Sequence, residues 1–252
     1  MPRTSKGPLR KKYGAVVLLD ALGAATFSEL KIRQFLSARG EIHSFVHNFA
    51  SDFGGGRKGP LRIFTFGDTI ILTLEMKLKE EAKLGTAILG LFMVIRRYLY
   101  HSLRKGLLFR GALSMGSYIE DVKTNTVMGQ AVSDAAAWYD KAEWMGVACT
   151  PGTKNVLEYY AGEQEWQTRF CCRYPVPMRD GEVFDLYTIA WPALFFEKDP
   201  TAADIGRGKF DFLNIIKDLS VPVGTERKFE NTKTYFTFIR SKLENEESET
   251  SQ

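Results

Sequence analysis

The chain has 252 residues, 44% of them apolar and 25% charged, and a formal net charge of +4. That suits one large globular domain, or one domain with a small appendage. Neither a membrane-spanning helix nor a secretory leader is expected. No run reaches about eighteen apolar residues, since the nearest, 84–99, is broken by Arg96 and Arg97, and no apolar signal region follows the basic start.

Three cysteines, Cys149, Cys171 and Cys172, form neither a disulfide framework nor a C-x-x-C metal motif, so the expectation is a cytoplasmic protein with reduced thiols. The first twelve residues, MPRTSKGPLRKK, hold five basic residues and no acid. They are expected to form a disordered, solvated arm, because no aromatic or amphipathic pattern marks a stable nucleic-acid or membrane partner. A single domain is expected over 13–243, followed by a disordered acidic tail over 244–252.

In chain order, 13–22 reads as a buried strand, and 28–53 has helical periodicity through Leu30, Phe35, Leu36, Ile42, Phe45, Val46 and Phe49. The glycines at 54–56 read as a linker, because no G-K-[ST] follows. The runs 61–66 and 69–76 are rich in β-formers and meet at Gly67-Asp68, which predicts a hairpin. A long helix is expected over 77–103, then a strand over 107–118 with small residues where backbone can approach a ligand. EDVKTNT reads as a turn, and VMGQAVSDAAAWYDKAEW as a glycine turn opening an alanine-rich helix. A short strand before Pro151, a helix over 153–160, a strand in FDLYTIAWP and helices near 210–219 and over 225–243 complete the reading. The order β-α-β-β-α-β predicts an α+β fold: a ferredoxin-like core, mostly antiparallel with helices on one face, and a C-terminal α/β extension.

In that topology the end of the first strand lies beside the hairpin, so Asp20 and Asp68 are expected to be neighbours. Two carboxylates at that separation repel unless a cation lies between them, and hard oxygen ligands suit Mg²⁺ or Mn²⁺ bridging to phosphates. Gly23 and Gly67 leave room for a nucleotide, and the backbone of Leu19, Ala21 and Leu22 could serve metal and phosphate. The competing reading is that both acids only terminate strands and turns. Arg110 reads either as a structural ion-pair partner or as a phosphate or interface group. His43 and His47 read as surface or packing residues rather than ligands. Trp138, Tyr139 and Trp144 read as core or dimer contacts, Cys149 as a packed strand residue, and Asn231 and Thr232 as groups that cap or orient the last helix.

Four segments together resemble the class III nucleotidyl cyclase catalytic domain: LLDALGA its first metal motif, TFGD its second, FRGALSMG its R-x-G-I-x-x-G strand, and VMGQAVSDAAAWYDKAEWMGV its glycine turn and helix. With YPVP, YTIAWP and KFENTKTYF the resemblance narrows to the stand-alone pyrimidine cyclases of the Pycsar anti-phage systems. The resemblance implies two Mg²⁺ or Mn²⁺ ions per site held by Asp20, Ala21 and Asp68, and a triphosphate against Ala21, Leu22, Gly23 and Ala24. It also implies a head-to-tail homodimer with sites at the interface, and a separate effector that responds to the cyclic nucleotide. The purine-selecting positions fall on Phe64 and Thr126, and the helix asparagine and arginine on Ser133 and Ala137. The missing transition-state charge would come from Arg110, Lys141 or Lys228. The implied reaction turns UTP, favoured over CTP, into 3′,5′-cyclic UMP or cyclic CMP plus pyrophosphate, with Asp20, Asp68 and Arg110 as catalytic residues. The alternatives are a purine (adenylate or guanylate) cyclase and a catalytically silent, cyclase-like nucleotide-binding regulatory module. A G-G-D/E-E-F turn, which a diguanylate cyclase would need, is absent.

Overall fold

In the computed structural model, residues 10–52, 61–76, 81–161, 168–196, 221 and 224–250 are described. The apolar run near the start forms β1 (Lys12–Ala21), buried from Gly14 to Leu19. It is apolar on both faces because it is an interior strand of a covered sheet. Helix α1 (Glu29–Asp52) leads to the hairpin β2 (Leu61–Phe66) and β3 (Thr69–Glu75), then α2 (Glu81–Arg104) and β4 (Phe109–Asp121). β1 lies between β3 and β4, antiparallel to both. The order β2-β3-β1-β4 is that of the expected ferredoxin-like core.

The extension adds β5 (Thr126–Met128), α3 (Gln130–Trp138), β6 (Gly146–Cys149), α4 (Pro151–Ala161), β7 (Cys171–Pro177), β8 (Val183–Ile189) and α5 (Glu226–Thr250). β6 pairs parallel to β4, and β8 and then β7 continue the sheet antiparallel. The two faces follow the period of a strand. Ala15, Val17 and Leu19 point into the main core with Phe35, Ile42, Phe92 and Tyr98 of α1 and α2. Val16 and Leu18 point the other way, into a smaller cluster with Phe64, Ile71, Ala112, Ala131 and Ala135. Helices therefore cover both faces: α1 and α2 lie where one face was expected to hold them, and α3 covers the other. Alanines four apart let α3 sit close to β1 and β4.

Several boundaries differ from the sequence reading. Lys12 belongs to β1, held by Glu75 at 2.8 Å and Glu120 at 2.6 Å, so the first strand starts one residue earlier than expected. EDVKTNT holds the end of β4 and the start of β5, a hairpin rather than a bare turn. α3 stops at Trp138, and 171–177 is a strand that the two prolines had hidden. The last helix continues to Thr250, because its glutamates are good helix formers and Arg240 pairs with Glu244 one turn on at 2.8 Å. The triglycine at 54–56 and the helix near 210–219 lie outside the described residues. Among the described residues no helix is long and apolar enough to cross a membrane.

Gly129 opens α3 at φ 134°, and a Cβ there would stand 2.8 Å from the Tyr118 Cα. Gly129→Ala is therefore expected to lower stability by roughly 2–4 kcal/mol, read as a drop in the urea midpoint with an unchanged slope.

Candidate functional site

Strand register brings the two predicted acids together. Asp20 is the penultimate residue of β1 and pairs with Thr69, the first residue of β3. The hairpin turn that precedes Thr69 is Gly67-Asp68, with Gly67 at φ 59°, a left-handed value that glycine adopts freely. The Ala21 N–H donates to the Asp68 carbonyl at 3.4 Å, which ties the strand end to the turn. On its other side Asp20 pairs with Arg110 of β4. Directly opposed residues share a face, so Asp20, Thr69 and Arg110 all project on the α3 side.

The contacts follow. Arg110 Nε and Nη2 both donate to Asp20 Oδ2, at 3.3 and 3.2 Å, and Thr69 Oγ1 donates to Asp20 Oδ1 at 3.3 Å. Burial pushes the Asp20 carboxyl above its usual range; Arg110 and Thr69 pull it down, and the neighbouring Asp68 pushes it up. The net shift is upward, so this carboxylate is held where its charge is costly.

The rest of Arg110 is also engaged. Nη1 donates to Asp140 Oδ1, and the guanidinium lies over the Tyr139 ring, 5.2 Å from its centroid. Asp140 accepts from Arg179 at 2.7 Å, Arg179 reaches Glu143 at 3.5 Å, and Glu143 pairs with Lys228 at 2.7 Å. The structural ion-pair reading of Arg110 is thus the one with observed partners, and those partners include the candidate metal ligand.

The other two candidate cations lie elsewhere within the chain. Lys228 is buried on Glu143, and Lys141 is exposed, its Nζ 4.7 Å from the Trp138 ring centroid. Ser133 and Ala137 are exposed on α3. Asn231 donates to the Glu143 carbonyl at 2.6 Å, and Thr232 accepts from the Met145 N–H at 2.9 Å, so both orient α5 rather than cap it. Trp144 is buried against Tyr174 and Tyr235, and Trp138 meets Phe184 edge to face. Cys149 is buried, and His43 and His47 are exposed. Among the described residues no three His, Cys, Asp or Glu side chains could share one ion.

The expected base positions converge on one edge. Phe64 is only 1% exposed, inside the smaller cluster, and offers no hydrogen-bonding atom. Thr126 starts β5, and the preceding Asn125, at φ 50°, donates its amide to the Thr65 carbonyl at 2.9 Å, which pins the β4–β5 hairpin to β2. At the β1–α1 loop, the N–H groups of Ala21 and Leu22 are committed to Asp68 and Leu108, while Gly23 at φ 74° opens a short 3₁₀ turn, Ala24–Thr26. A cleft of ≈ 220 Å³ adjoins this loop, lined by Leu22, Gly23, Thr26, Lys31 and Phe229 among others. Sequence reasoning missed Asn125 and Asp140. An Asn-Thr pair in a turn was a usable signal for the first; nothing local marked the second.

No family model matches the chain, and no curated protein matches it. Solved structures similar to it include the catalytic core of a rhodopsin-guanylyl cyclase with converted specificity, in complex with ATPαS. That likeness has 11% identity, covers 73% of this chain and 98% of the other, and has a TM-score of 0.44. Another is a bacterial light-regulated adenylyl cyclase, with 16% identity over 72% of this chain and 92% of the other and a TM-score of 0.40.

A carboxyl whose folded pKa is raised costs stability above that value and stops doing so once acid protonates it. In metal-free protein, Asp20→Asn is therefore expected to melt higher than wild type at neutral pH, with the gap closing as the pH falls through the carboxylate range. A gap that stays constant across a calorimetric pH series would show that Asp20 carries no such penalty.

Proposed function

We propose that this chain is a nucleotidyl cyclase acting on a pyrimidine nucleoside triphosphate, UTP ahead of CTP, to give 3′,5′-cyclic UMP or cyclic CMP and pyrophosphate. The observation that carries the reading is the meeting of Asp20 and Asp68 where β1 ends beside the β2–β3 turn. The donor set fits a hard divalent cation: two carboxylates, one of them desolvated and raised by its neighbour, with backbone oxygen beside them. Asp20, Asp68 and the Ala21 carbonyl would hold two such ions, Mg²⁺ or Mn²⁺, which when bound acidify a ribose hydroxyl and neutralise phosphate charge.

The chain's own residues supply the remainder of the mechanism. Arg110, with Nε and Nη2 on Asp20, stands where a phosphate would need a cation. The backbone of Ala21–Ala24 would face the triphosphate, with Gly23 and Ala24 the positions whose N–H groups are not committed to Asp68 or Leu108. Phe64 is buried in the smaller cluster and would shape the base pocket only from behind, with nothing to read a purine edge, and Thr126 would bring one small hydroxyl, which it shares with Thr124. Ser133 and Ala137 are uncharged, so the remaining positive charge for the transition state would come from a second copy of the chain docked head to tail. In this reading the product signals to a separate effector in defence against phage, as the sequence resemblance implies.

A second reading is a nucleotide-binding module without turnover, favoured by the position of Arg110 on the very oxygen a metal would use. One substrate screen separates the readings. The protein is incubated with UTP, CTP, ATP and GTP in turn, with Mn²⁺, and the products are resolved by HPLC. A cyclic pyrimidine nucleotide is expected; cyclic purines alone would move the assignment to a purine cyclase, and bound but unchanged nucleotide to the silent module. Asp20→Asn and Asp68→Asn are each expected to cut kcat by roughly a thousandfold, with the fold retained by circular dichroism.

A further inference from the structure

We propose that Asp140 is a positioning residue for the carboxylate pair: it holds the third nitrogen of Arg110 and so sets how much of that cation Asp20 keeps. The inference rests on reading Asp20 and Asp68 as the cation-holding pair. The guanidinium is divided between two acids. Nε and Nη2 reach one oxygen of Asp20 at 3.2–3.3 Å, and Nη1 reaches Asp140. The Asp20 contacts are long beside the ~2.8 Å usual for charge-assisted pairs. Asp20 is therefore the loosely held partner.

Asp140 is also the anchored one. Its second oxygen accepts from Arg179 at 2.7 Å, and Arg179 leads through Glu143 to Lys228. Glu143 and Lys228 are 8% and 5% exposed, packed where α5 meets the 143–145 segment. The Tyr139 ring fixes the plane of the guanidinium from one side. When a cation takes the Asp20 oxygens, Arg110 has to release them, and Asp140 is the acid already placed to keep it. Without Asp140 the full guanidinium charge falls back onto Asp20 and competes with the metal.

The test uses nucleotide-free, full-length protein and the electron paramagnetic resonance signal of free Mn²⁺. Asp140→Asn is expected to weaken Mn²⁺ binding roughly fivefold, and Arg110→Gln to tighten it. With Arg110→Gln already in place, adding Asp140→Asn should change Mn²⁺ affinity less than about twofold, since the effect passes through Arg110. An equal weakening in both backgrounds would show plain long-range charge, and no weakening in wild type would show no role; either overturns the proposal. If Arg110→Gln melts early, Arg110→Lys serves, because an ammonium cannot span both carboxylates. Wild type that binds no Mn²⁺ overturns both this inference and the cation-pair reading beneath it. Coupling in a protein that forms no cyclic nucleotide supports Asp140 and overturns only the activity.

Discussion

The site depends on one constraint, the register of β1 between β3 and β4. Asp20 stands opposite Thr69 on one side and Arg110 on the other. Because side chains alternate with a period of two, a slip of a single residue would send Asp20 into the main core and Leu19 onto the α3 face. The apolar alternation of Ala15, Val17 and Leu19 against Val16 and Leu18 forbids that slip, since each set fills a different, closely packed cluster. The carboxylate position is thus enforced by residues that never touch it. The same pairing places Asp68, because the hairpin turn is carried by β3.

Much of the fold was legible because its signals were local. The hairpin at Gly67-Asp68, the two long helices and the buried first strand all follow from periodicity and turn chemistry over a dozen residues. The strand 171–177 was hidden because Pro175 and Pro177 argue against a ladder; it is tolerated because β7 is an edge strand of the sheet. The last helix was cut short at Leu243 because acidic composition reads as disorder, whereas α5 is already nucleated by the buried Phe229, Tyr235 and Ile239, and glutamates extend it readily.

The site divided the same way. Asp20 and Asp68 could be paired from topology alone. The company of Arg110 could not, because Asp140 and Glu143 follow α3 while Arg179 and Lys228 come from two other segments, and they meet only through tertiary packing. Alternating charge along that row lets a buried lysine and a buried glutamate satisfy each other, where either alone would be expensive. Phe64 shows the reverse case: order along the chain suggested a base-facing position, whereas the structure buries it inside the smaller cluster.

The separations along the chain also carry a temporal meaning. Asp20 meets Arg110 across 90 residues, and Glu143 meets Lys228 across 85. Contacts of such range form late and slowly, since loop closure must be met before they reward it. During synthesis β1 leaves the ribosome long before its partner β4, and the buried glutamate waits for α5. An emerging chain therefore keeps Asp20 from its cation until β4 has been made, and Glu143 from its own until the last helix follows.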